Sequence, residues 1–346
     1  MLRRVALPFL LLVVLLVLPA SAFAEDGARA TTAAAAAKPA PKARAGPRAR
    51  AGPTPTGRIG LHVEGAFSVN GRALAVAGRP LLIEGRVVPY IAGQSVTVRI
   101  WRGHKLLKQV KVTPKPTRTK KTAVFSVRYA PQRSGDVQIF ALHERTPEQR
   151  RLLAKAPLSI VTPSAAPGTR SPFVALLQQR LAAIGYSTPQ SGSYDAATGR
   201  AVLAFRKVNG MPRITTLTPF IVDRVLRGVG GFKVRFPQHG RHVEAHLGWQ
   251  VLALIDKGRV VRAYTTSSGK PSTPTVLGNF RFYMREPGTN SHGMVNSTYF
   301  IRGYAIHGYY DVPTYNASHG CLRVPIPDAF AIYSWIHLGD QIDVYY

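Results

Sequence analysis

The spacing of apolar residues changes twice along this chain of 346 residues, from a period of two to a helical period and back. Alternation predicts strands with one buried face, whereas apolar residues three or four positions apart predict amphipathic helices. Since domains typically span ~100–200 residues, these changes divide the chain into several folded parts. The sequence predicts a β-sandwich over 58–163, a small three-helix bundle over 171–228 and a β-rich domain over 231–346.

The first part contains short alternating segments separated by Gly and Pro. The clearest are Leu81–Gly85, Ser95–Trp101, Val124–Val127 and Val137–Phe140. Strands at this spacing are typical of two packed antiparallel sheets, and the segment resembles a bacterial immunoglobulin-like module. It contains no pattern that indicates chemistry, so we expect it to act as a spacer or in adhesion.

The middle part has the apolar spacing and the end signals of helices. Gly185 is placed to end the first helix, and Thr218-Pro219 supplies an N-cap and a first-turn proline to the third. The part resembles the peptidoglycan-binding type 1 domain in Leu177-Gln178, Ile184-Gly185-Tyr186, and Thr198, Ala201, Val202 and Phe205. The family's D-G-x-F-G loop is replaced by SGSYD at 191–195. The resemblance therefore supports the fold better than it supports binding of glycan.

The N-terminal residues have the features of an export signal. Two arginines precede an apolar run, Val5–Leu18, and Ala-Phe-Ala at 22–24 supplies a small-x-small cleavage site. The run is shorter than the ~20 apolar residues of a membrane span. We interpret 1–24 as a signal peptide, with an uncleaved membrane anchor as the alternative. The Ala/Pro/basic segment 25–57 is predicted to be a disordered linker, and we expect the protein in the cell wall or the extracytoplasmic space.

The net charge is +30, from 46 Lys and Arg against 16 Asp and Glu. Such an excess favours anionic surroundings, either nucleic acid or anionic wall polymers. The basic residues are scattered, and neither zinc-finger spacing nor an RNA-binding aromatic motif is present, so no nucleic-acid partner is expected. A basic surface that reflects an arginine-rich proteome is the simpler explanation of the charge.

Cys321 is the only cysteine of the chain. Exported proteins usually carry cysteines in disulfide-bonded pairs, so a lone thiol in an oxidising compartment is a candidate for a reactive role. A buried, inert cysteine is the alternative. Composition alone does not separate the two.

Two histidines lie near Cys321 in motifs that periodicity does not explain. His307 belongs to Ala305-Ile306-His307-Gly308, and His319 precedes Cys321 by two positions. A cysteine attacks as the thiolate and needs a base, and imidazole titrates in the required range. His307 arrives from a separate strand end and can approach the sulfur directly, whereas His319 need not face it. Gly320 leaves room for a substrate carbonyl near backbone amides that can form an oxyanion hole.

These motifs resemble the catalytic signature of the L,D-transpeptidase family, also called the YkuD domain, in which His-Gly precedes [S/T]-H-G-C. The family's stretch [ST]-G-K-x-x-x-P-T-x-x-G-x-F has its counterpart at 268–280. The resemblance implies that Cys321 is the nucleophile, His307 the base, and the Gly308 carbonyl the group that orients the imidazole. It implies further that the oxyanion is surrounded by His319, Gly320 and the Cys321 amide.

The resemblance also implies contacts with a substrate. Ser318 shapes the turn before the nucleophile, and Tyr304 is a further candidate for substrate binding. Arg323 stands where some members carry Asn, and we interpret it either as a clamp for a carboxylate of the peptidoglycan stem or as half of a structural salt bridge. Ser291–Met294 repeats the motif without its cysteine and is interpreted as a mobile loop.

The expected activity is formation of 3-3 cross-links between peptidoglycan stem peptides through a thioester on Cys321. An L,D-carboxypeptidase uses the same residues, and an inactive wall-binding protein is a third interpretation. A Cys-His endopeptidase of the NlpC/P60 kind is disfavoured, because in that family Cys precedes His. No metal or other cofactor is expected, since Cys-x-x-Cys does not occur and the chain has a single thiol. The expected partners are stem peptides and glycan, with anionic wall polymers as a further candidate, and a membrane only through an uncleaved signal segment.

Overall fold

The computed structural model of the chain describes residues 56–346. The predicted signal peptide, 1–24, and nearly all of the predicted linker, 25–57, lie outside the described residues. Within residues 56–346 no helix has both the length and the apolar character needed to cross a membrane.

Ten strands form the N-terminal part in two sheets. The four-stranded sheet has the order β1-β4-β8-β7, and the six-stranded sheet has the order β2-β3-β10-β9-β5-β6. Their bounds are β1 Arg58–Glu64, β2 Phe67–Val69, β3 Arg72–Val76, β4 Leu81–Val88, β5 Val96–Arg102, β6 Lys105–Val112, β7 Lys115–Pro116, β8 Ala123–Tyr129, β9 Gly135–His143 and β10 Leu152–Val161.

Alternation along the strands produces the core between these two sheets. In β4, Leu81, Ile83 and Val87 are buried, while Glu84 and Arg86 between them are exposed. Buried residues of both sheets, including Val98 and Ile139 of the larger sheet, form one apolar cluster. Two sheets thus enclose one core, and the finer immunoglobulin-like assignment stays a prediction.

Three helices follow, α1 Pro172–Ala183, α2 Ala196–Val208 and α3 Pro219–Leu226. Each begins where a side chain accepts a hydrogen bond from a first-turn amide: Ser171 for α1, Asp195 for α2 and Thr218 for α3. Proline stands in the first turn of α1 and α3, where its missing N–H removes no intrahelical hydrogen bond.

The helices do not form a separate bundle with a core of their own. Val174, Leu181 and Phe205 lie in the same apolar cluster as Val251 and Ala263 of the C-terminal part. Other residues of α1 and α3 pack with β2, β3 and β10 in a second cluster: Val69, Leu74, Val76, Val161, Phe173, Leu176, Val222 and Leu226. The helical part is therefore packed into both of its neighbours.

The C-terminal part contains a five-stranded sheet in the order β13-β12-β11-β19-β14 and a four-stranded sheet in the order β15-β16-β17-β18. Their bounds are β11 His242–His246, β12 Val251–Asp256, β13 Arg259–Thr265, β14 Gly278–Arg281, β15 Met284–Thr289, β16 Val295–Ile301, β17 Tyr304–Tyr309, β18 Leu322–Pro325 and β19 Gln341–Tyr345. A helix, α4 Ile326–Trp335, follows β18 directly. Both sheets and α4 contribute to one apolar core.

A network of buried ionisable groups lies on β11 and β19. His242 Nε2 lies 3.2 Å from Glu244 Oε1 and 3.9 Å from Asp343 Oδ2. His242 Nδ1 lies 3.0 Å from the Gly240 carbonyl, which can only accept, so Nδ1 is a donor. Burial disfavours the charged ring, but the hydrogen bonds with Glu244 and the Gly240 carbonyl raise the pKa of His242 and favour the doubly protonated imidazole.

Candidate active site

Two paired strands bring His307 and Cys321 to one face of the four-stranded sheet. β17 and β18 run parallel, with Ile306 opposite Leu322 and His307 opposite Arg323. Ile306 and Leu322 belong to the core. Because neighbouring side chains of a strand point to opposite faces, His307, Arg323 and Cys321 lie on the face away from that core.

The Cys321 thiol is half-buried against the backbone at the start of β17. Its Sγ lies 3.6 Å from the Gly303 carbonyl oxygen. Burial raises the pKa of the thiol, although a hydrogen bond from the Ala305 backbone and the positive charge of Arg323 act in the opposite direction. The thiol is therefore protonated at rest near neutral pH and needs a base to attack.

His307 is buried, with 3% of its surface exposed. Its Nδ1 lies 3.0 Å from the Gly308 carbonyl oxygen, so Nδ1 carries the proton and Nε2 is the free base. Burial lowers the pKa of the imidazole, and the charge of Arg323 lowers it further, against the hydrogen bond to Gly308. The neutral imidazole can therefore accept a proton across the neutral pH range.

The turn before the nucleophile is held by Ser318 and depends on glycine at 320. Ser318 Oγ donates to the Cys321 carbonyl at 2.6 Å and accepts from the Gly320 amide at 3.0 Å. Gly320 has φ +118°, and a Cβ there would lie 2.0 Å from Cε1 of Tyr304. The Tyr304 ring thus lies directly over the turn and makes glycine necessary at this position.

The stretch 268–280 folds against this turn. Lys270 N donates to the Ser318 carbonyl at 2.9 Å, and Thr273 Oγ1 donates to the same oxygen at 3.2 Å. Thr275 Oγ1 donates to the Gly320 carbonyl at 2.7 Å and accepts from Gly269 N at 2.9 Å. The two sequence motifs are therefore parts of one hydrogen-bonded structure.

The side chains of His319 and Arg323 contact residues that the sequence did not indicate as their partners. His319 is exposed, and its Nε2 lies 3.2 Å from Lys270 Nζ. Arg323 Nη1 lies 3.6 Å from Asp311 Oδ2, and the guanidinium lies 4.2 Å from the centre of the Tyr309 ring. Of the two interpretations of Arg323, the ion pair is present, and the contact with a substrate carboxylate stays a proposal.

Two further residues that hold the site are not evident from the sequence. Gln250 has φ +56°, and its side-chain amide accepts from Ser268 N at 2.8 Å and donates to Ser268 Oγ at 2.7 Å. Lys207 of α2 is buried, and its Nζ donates to the Gln250 carbonyl. No motif or spacing indicates either residue, because their partners are distant in the chain.

The repeated motif at Ser291–Met294 lies in the turn that joins the paired strands β15 and β16. His292 there is exposed. Over residues 56–346, no group of three or more His, Cys, Asp or Glu side chains is arranged to hold a metal ion.

A half-buried thiol, a buried neutral imidazole on the same sheet face and a glycine turn are together typical of the class of cysteine enzymes. Comparison with known proteins agrees with this class. Residues 240–344 match the family model of the L,D-transpeptidase catalytic domain, YkuD, and residues 170–215 match that of the "Putative peptidoglycan binding domain".

Solved structures of L,D-transpeptidases are similar to this chain. One from Xylanimonas cellulosilytica is 32% identical over 53% of this chain and 100% of its own, with a TM-score of 0.47. One from Stackebrandtia nassauensis is 19% identical over 53% of this chain and 95% of its own, with a TM-score of 0.34. One from Mycobacterium smegmatis is 13% identical over 82% of this chain and 99% of its own, with a TM-score of 0.27. A search of curated proteins found no match.

By its matched catalytic domain and its 32% identity to a relative that it covers end to end, the chain belongs to the L,D-transpeptidase family. The catalytic domain and the matched peptidoglycan-binding domain both have peptidoglycan as their partner. This partner implies a location in the cell wall or outside the cytoplasm.

Proposed function

We propose that the protein forms 3-3 cross-links between peptidoglycan stem peptides through a thioester on Cys321. The observation that carries the proposal is the placement of His307 and Cys321 on the same face of adjacent parallel strands, with Ile306 and Leu322 turned into the core. The strand pairing holds the backbones of these residues beside each other, which supports an approach of the imidazole to the sulfur.

In the proposed reaction, His307 Nε2 takes the thiol proton while Sγ attacks the carbonyl between the third stem residue and the terminal D-Ala. The C–N bond then breaks, and D-Ala leaves with the proton from His307. An amine of a neighbouring stem next attacks the thioester and gives up a proton to His307. The Cys321 thiol is released, and the new amide bond is the cross-link.

The electrostatics of the site support general-base catalysis rather than a resting ion pair. Burial raises the pKa of the Cys321 thiol and lowers that of the His307 imidazole, so both groups are neutral before substrate binds. The developing oxyanion is assigned to the Cys321 amide, since the Gly320 amide already donates to Ser318 Oγ. His319 is assigned a place at the rim of the site, where it contacts Lys270.

The remaining residues of the site are proposed to recognise the substrate. Arg323 is only 12% exposed and its partner Asp311 is 56% exposed, so a stem carboxylate that displaces Asp311 would gain a charge-assisted contact. Tyr304 and Ser318 line the same turn. The helical part is proposed to bind glycan, the basic surface to contact anionic wall polymers, and the N-terminal residues to direct export.

An L,D-carboxypeptidase is the second candidate, because water in place of the amine would release the stem from the same thioester. An inactive wall-binding protein is the third. Analysis of the products formed from a purified tetrapeptide stem separates the first two, since only the transpeptidase yields a dimer.

The assignment of the nucleophile is tested by intact mass spectrometry after incubation with a carbapenem. We expect one covalent adduct on the wild type, none on Cys321→Ala, and acylation slowed by about 10²–10⁴-fold in His307→Ala, the range typical of a lost general base. His292→Ala removes an exposed histidine from the repeated motif and is the matched control, with unchanged acylation. An adduct that persists in Cys321→Ala overturns the proposal.

A further inference from the structure

Three basic side chains of the helical part cross into the catalytic domain. Arg200 forms a two-bond ion pair with Asp328 of α4, at 2.7 Å and 3.0 Å. Arg213 donates to the Thr314 carbonyl at 2.6 Å and to the Gly248 carbonyl at 2.9 Å. Thr314 lies in the loop between His307 and Cys321, so the helical part contacts the chain that leads into the nucleophile.

Lys207 makes the deepest of these contacts. It is 2% exposed, and its Nζ donates to the Gln250 carbonyl at 3.0 Å, to the Thr266 carbonyl at 3.1 Å and to Thr265 Oγ1. All three acceptors belong to the catalytic domain. A buried amino group is costly unless every proton has an acceptor, and here the acceptors number three.

The segment that Lys207 holds is bonded to both sides of the nucleophile. Gln250 fixes Ser268 through its side-chain amide, and the Ser268 carbonyl accepts from Ala317 N at 2.8 Å and Ser318 N at 2.9 Å. Thr266 Oγ1 donates to the Arg323 carbonyl at 2.7 Å. The residues before and after Cys321 are thus hydrogen-bonded to the segment that follows β13 and to Gln250, and Lys207 contacts both.

From these contacts we infer that the helical part is a component of the catalytic apparatus, and that Lys207 is a positioning residue for the turn that carries Cys321. The inference rests on the proposed function. Lys207 makes its hydrogen bonds to residues other than Cys321. It acts by fixing Gln250 and Thr266, which in turn fix the turn's backbone amides toward the reacting carbonyl.

The face of α2 that makes these contacts is unavailable to glycan, since it is covered by the catalytic domain. Ala201, Ala204 and Phe205 are buried with Lys207, and Phe205 shares a core with Ala263 of β13. Any saccharide held by the helical part must occupy another of its surfaces. A positioning role and a glycan-binding role are therefore compatible.

Lys207→Met in the full chain tests the inference through two reactions of the same thiol. Acylation by a carbapenem needs the oxyanion donors, whereas alkylation by iodoacetamide needs only the thiolate. We expect acylation to slow by about tenfold or more while alkylation changes less than about twofold. Val222→Ala, a buried change in α3 on the side that packs against β2, β3 and β10, is the control, and it should lower the unfolding temperature while leaving the ratio of the two rates as in the wild type.

An unchanged ratio in Lys207→Met overturns the inference, as does an equal fall of the ratio in Val222→Ala. If Lys207→Met does not fold, Arg213→Gln is measured in its place, since its loss frees the Thr314 loop, and a wild-type ratio in that variant also counts against the inference. Failure of the proposed function is distinguishable, because then the wild type itself is alkylated but not acylated.

Discussion

The charge of Arg323 acts on both reacting groups in the same direction. It lowers the pKa of the Cys321 thiol and of the His307 imidazole, in each case as a smaller cause than burial. A positive charge favours the thiolate over the thiol and the neutral over the protonated imidazole. One side chain therefore shifts the pKa values of both reacting groups downward, as a smaller contribution beside that of burial.

We predict that Arg323→Ala shifts the acid limb of the acylation rate to higher pH. In the wild type the pKa of His307 lies below the usual histidine range, so the rate falls only when pH drops through that lowered value. Without the guanidinium the pKa of His307 rises, and protonation begins nearer neutrality. The pH profile of carbapenem acylation measures the shift, and the profile of iodoacetamide alkylation should move to higher pH with it. Identical profiles for both proteins would contradict the prediction.

Gly320→Ala is predicted to disrupt the turn. The added Cβ meets the Tyr304 ring, and φ +118° is strained for any side chain, so we expect a loss of about 1–3 kcal/mol in the free energy of unfolding. The double variant Gly320→Ala, Tyr304→Ala should regain part of the loss, because the clash is removed while the backbone strain remains. Equilibrium denaturation of the single and double variants measures both effects.

Much of the site could be predicted from the sequence, because its reactive groups occupy short motifs. The lone cysteine, the upstream histidine and the adjacent glycine each have a chemical reason that is independent of distant contacts. Gln250 and Lys207 could not be predicted, since each acts through backbone carbonyls and amides, which leave no trace in residue type. A structural salt bridge of Arg323 was one of two open interpretations, charge alone does not choose between them, and the partner Asp311 was not indicated by the sequence.

Among the strands, β12 explains why the helical part is attached to the catalytic domain. Val251, Ala253 and Ile255 face the helices, and Leu252 and Leu254 face the core between the two sheets. A strand buried on both faces has a continuous apolar sequence instead of an alternating one. The sequence at 251–255 has this property, so it indicates that the outer face of β12 is covered. It does not indicate which element covers that face.

The network on β11 and β19 predicts how stability depends on pH. Burial opposes the charge on His242, but hydrogen bonds with Glu244 and the Gly240 carbonyl outweigh it and raise the pKa of His242. Burial likewise opposes the Glu244 carboxylate, but hydrogen bonds from His242, Tyr345 and two backbone amides lower its pKa. Both groups are charged in the folded protein at any pH between the lowered pKa of Glu244 and the raised pKa of His242.

We predict that His242→Gln lowers the unfolding temperature most at mildly acidic and neutral pH. A raised pKa means that the folded state binds the proton more tightly, so the stabilisation is complete below the usual histidine pKa and is lost as pH rises through the raised value. The difference between wild type and variant should therefore shrink at alkaline pH. Thermal unfolding at several pH values measures this difference. The control is His62→Gln, which changes an exposed histidine on β1. A difference that grows with pH has the wrong sign.

At the scale of the molecule, the three parts are joined by shared cores. The helices pack with β12 and β13 on one side and with β2, β3 and β10 on the other. The sequence predicted the order of the parts from their changing period, but it did not predict that the helices lack an independent core. Periodicity shows which face of an element is apolar and does not show what covers it.

A fragment beginning at residue 229 is predicted not to fold as the intact domain does. It would expose Val251, Ala253, Ile255 and Ala263, and burial of one Val or Ile side chain contributes about 1.5–3 kcal/mol. A fragment beginning at residue 164 keeps the helices and should be more stable. Size-exclusion chromatography and thermal unfolding compare the two. Equal unfolding temperatures would show that the helices contribute no stability to the catalytic domain.

The apolar contact between α2 and the catalytic strands also bears on how a long polymer is handled. Helices that share a core with β12 and β13 cannot swing independently of Cys321. A sugar chain gripped by the helical part would then be presented to the sulfur at one constant offset. The stem that reacts would then be the one at a constant distance along the glycan from the bound sugar.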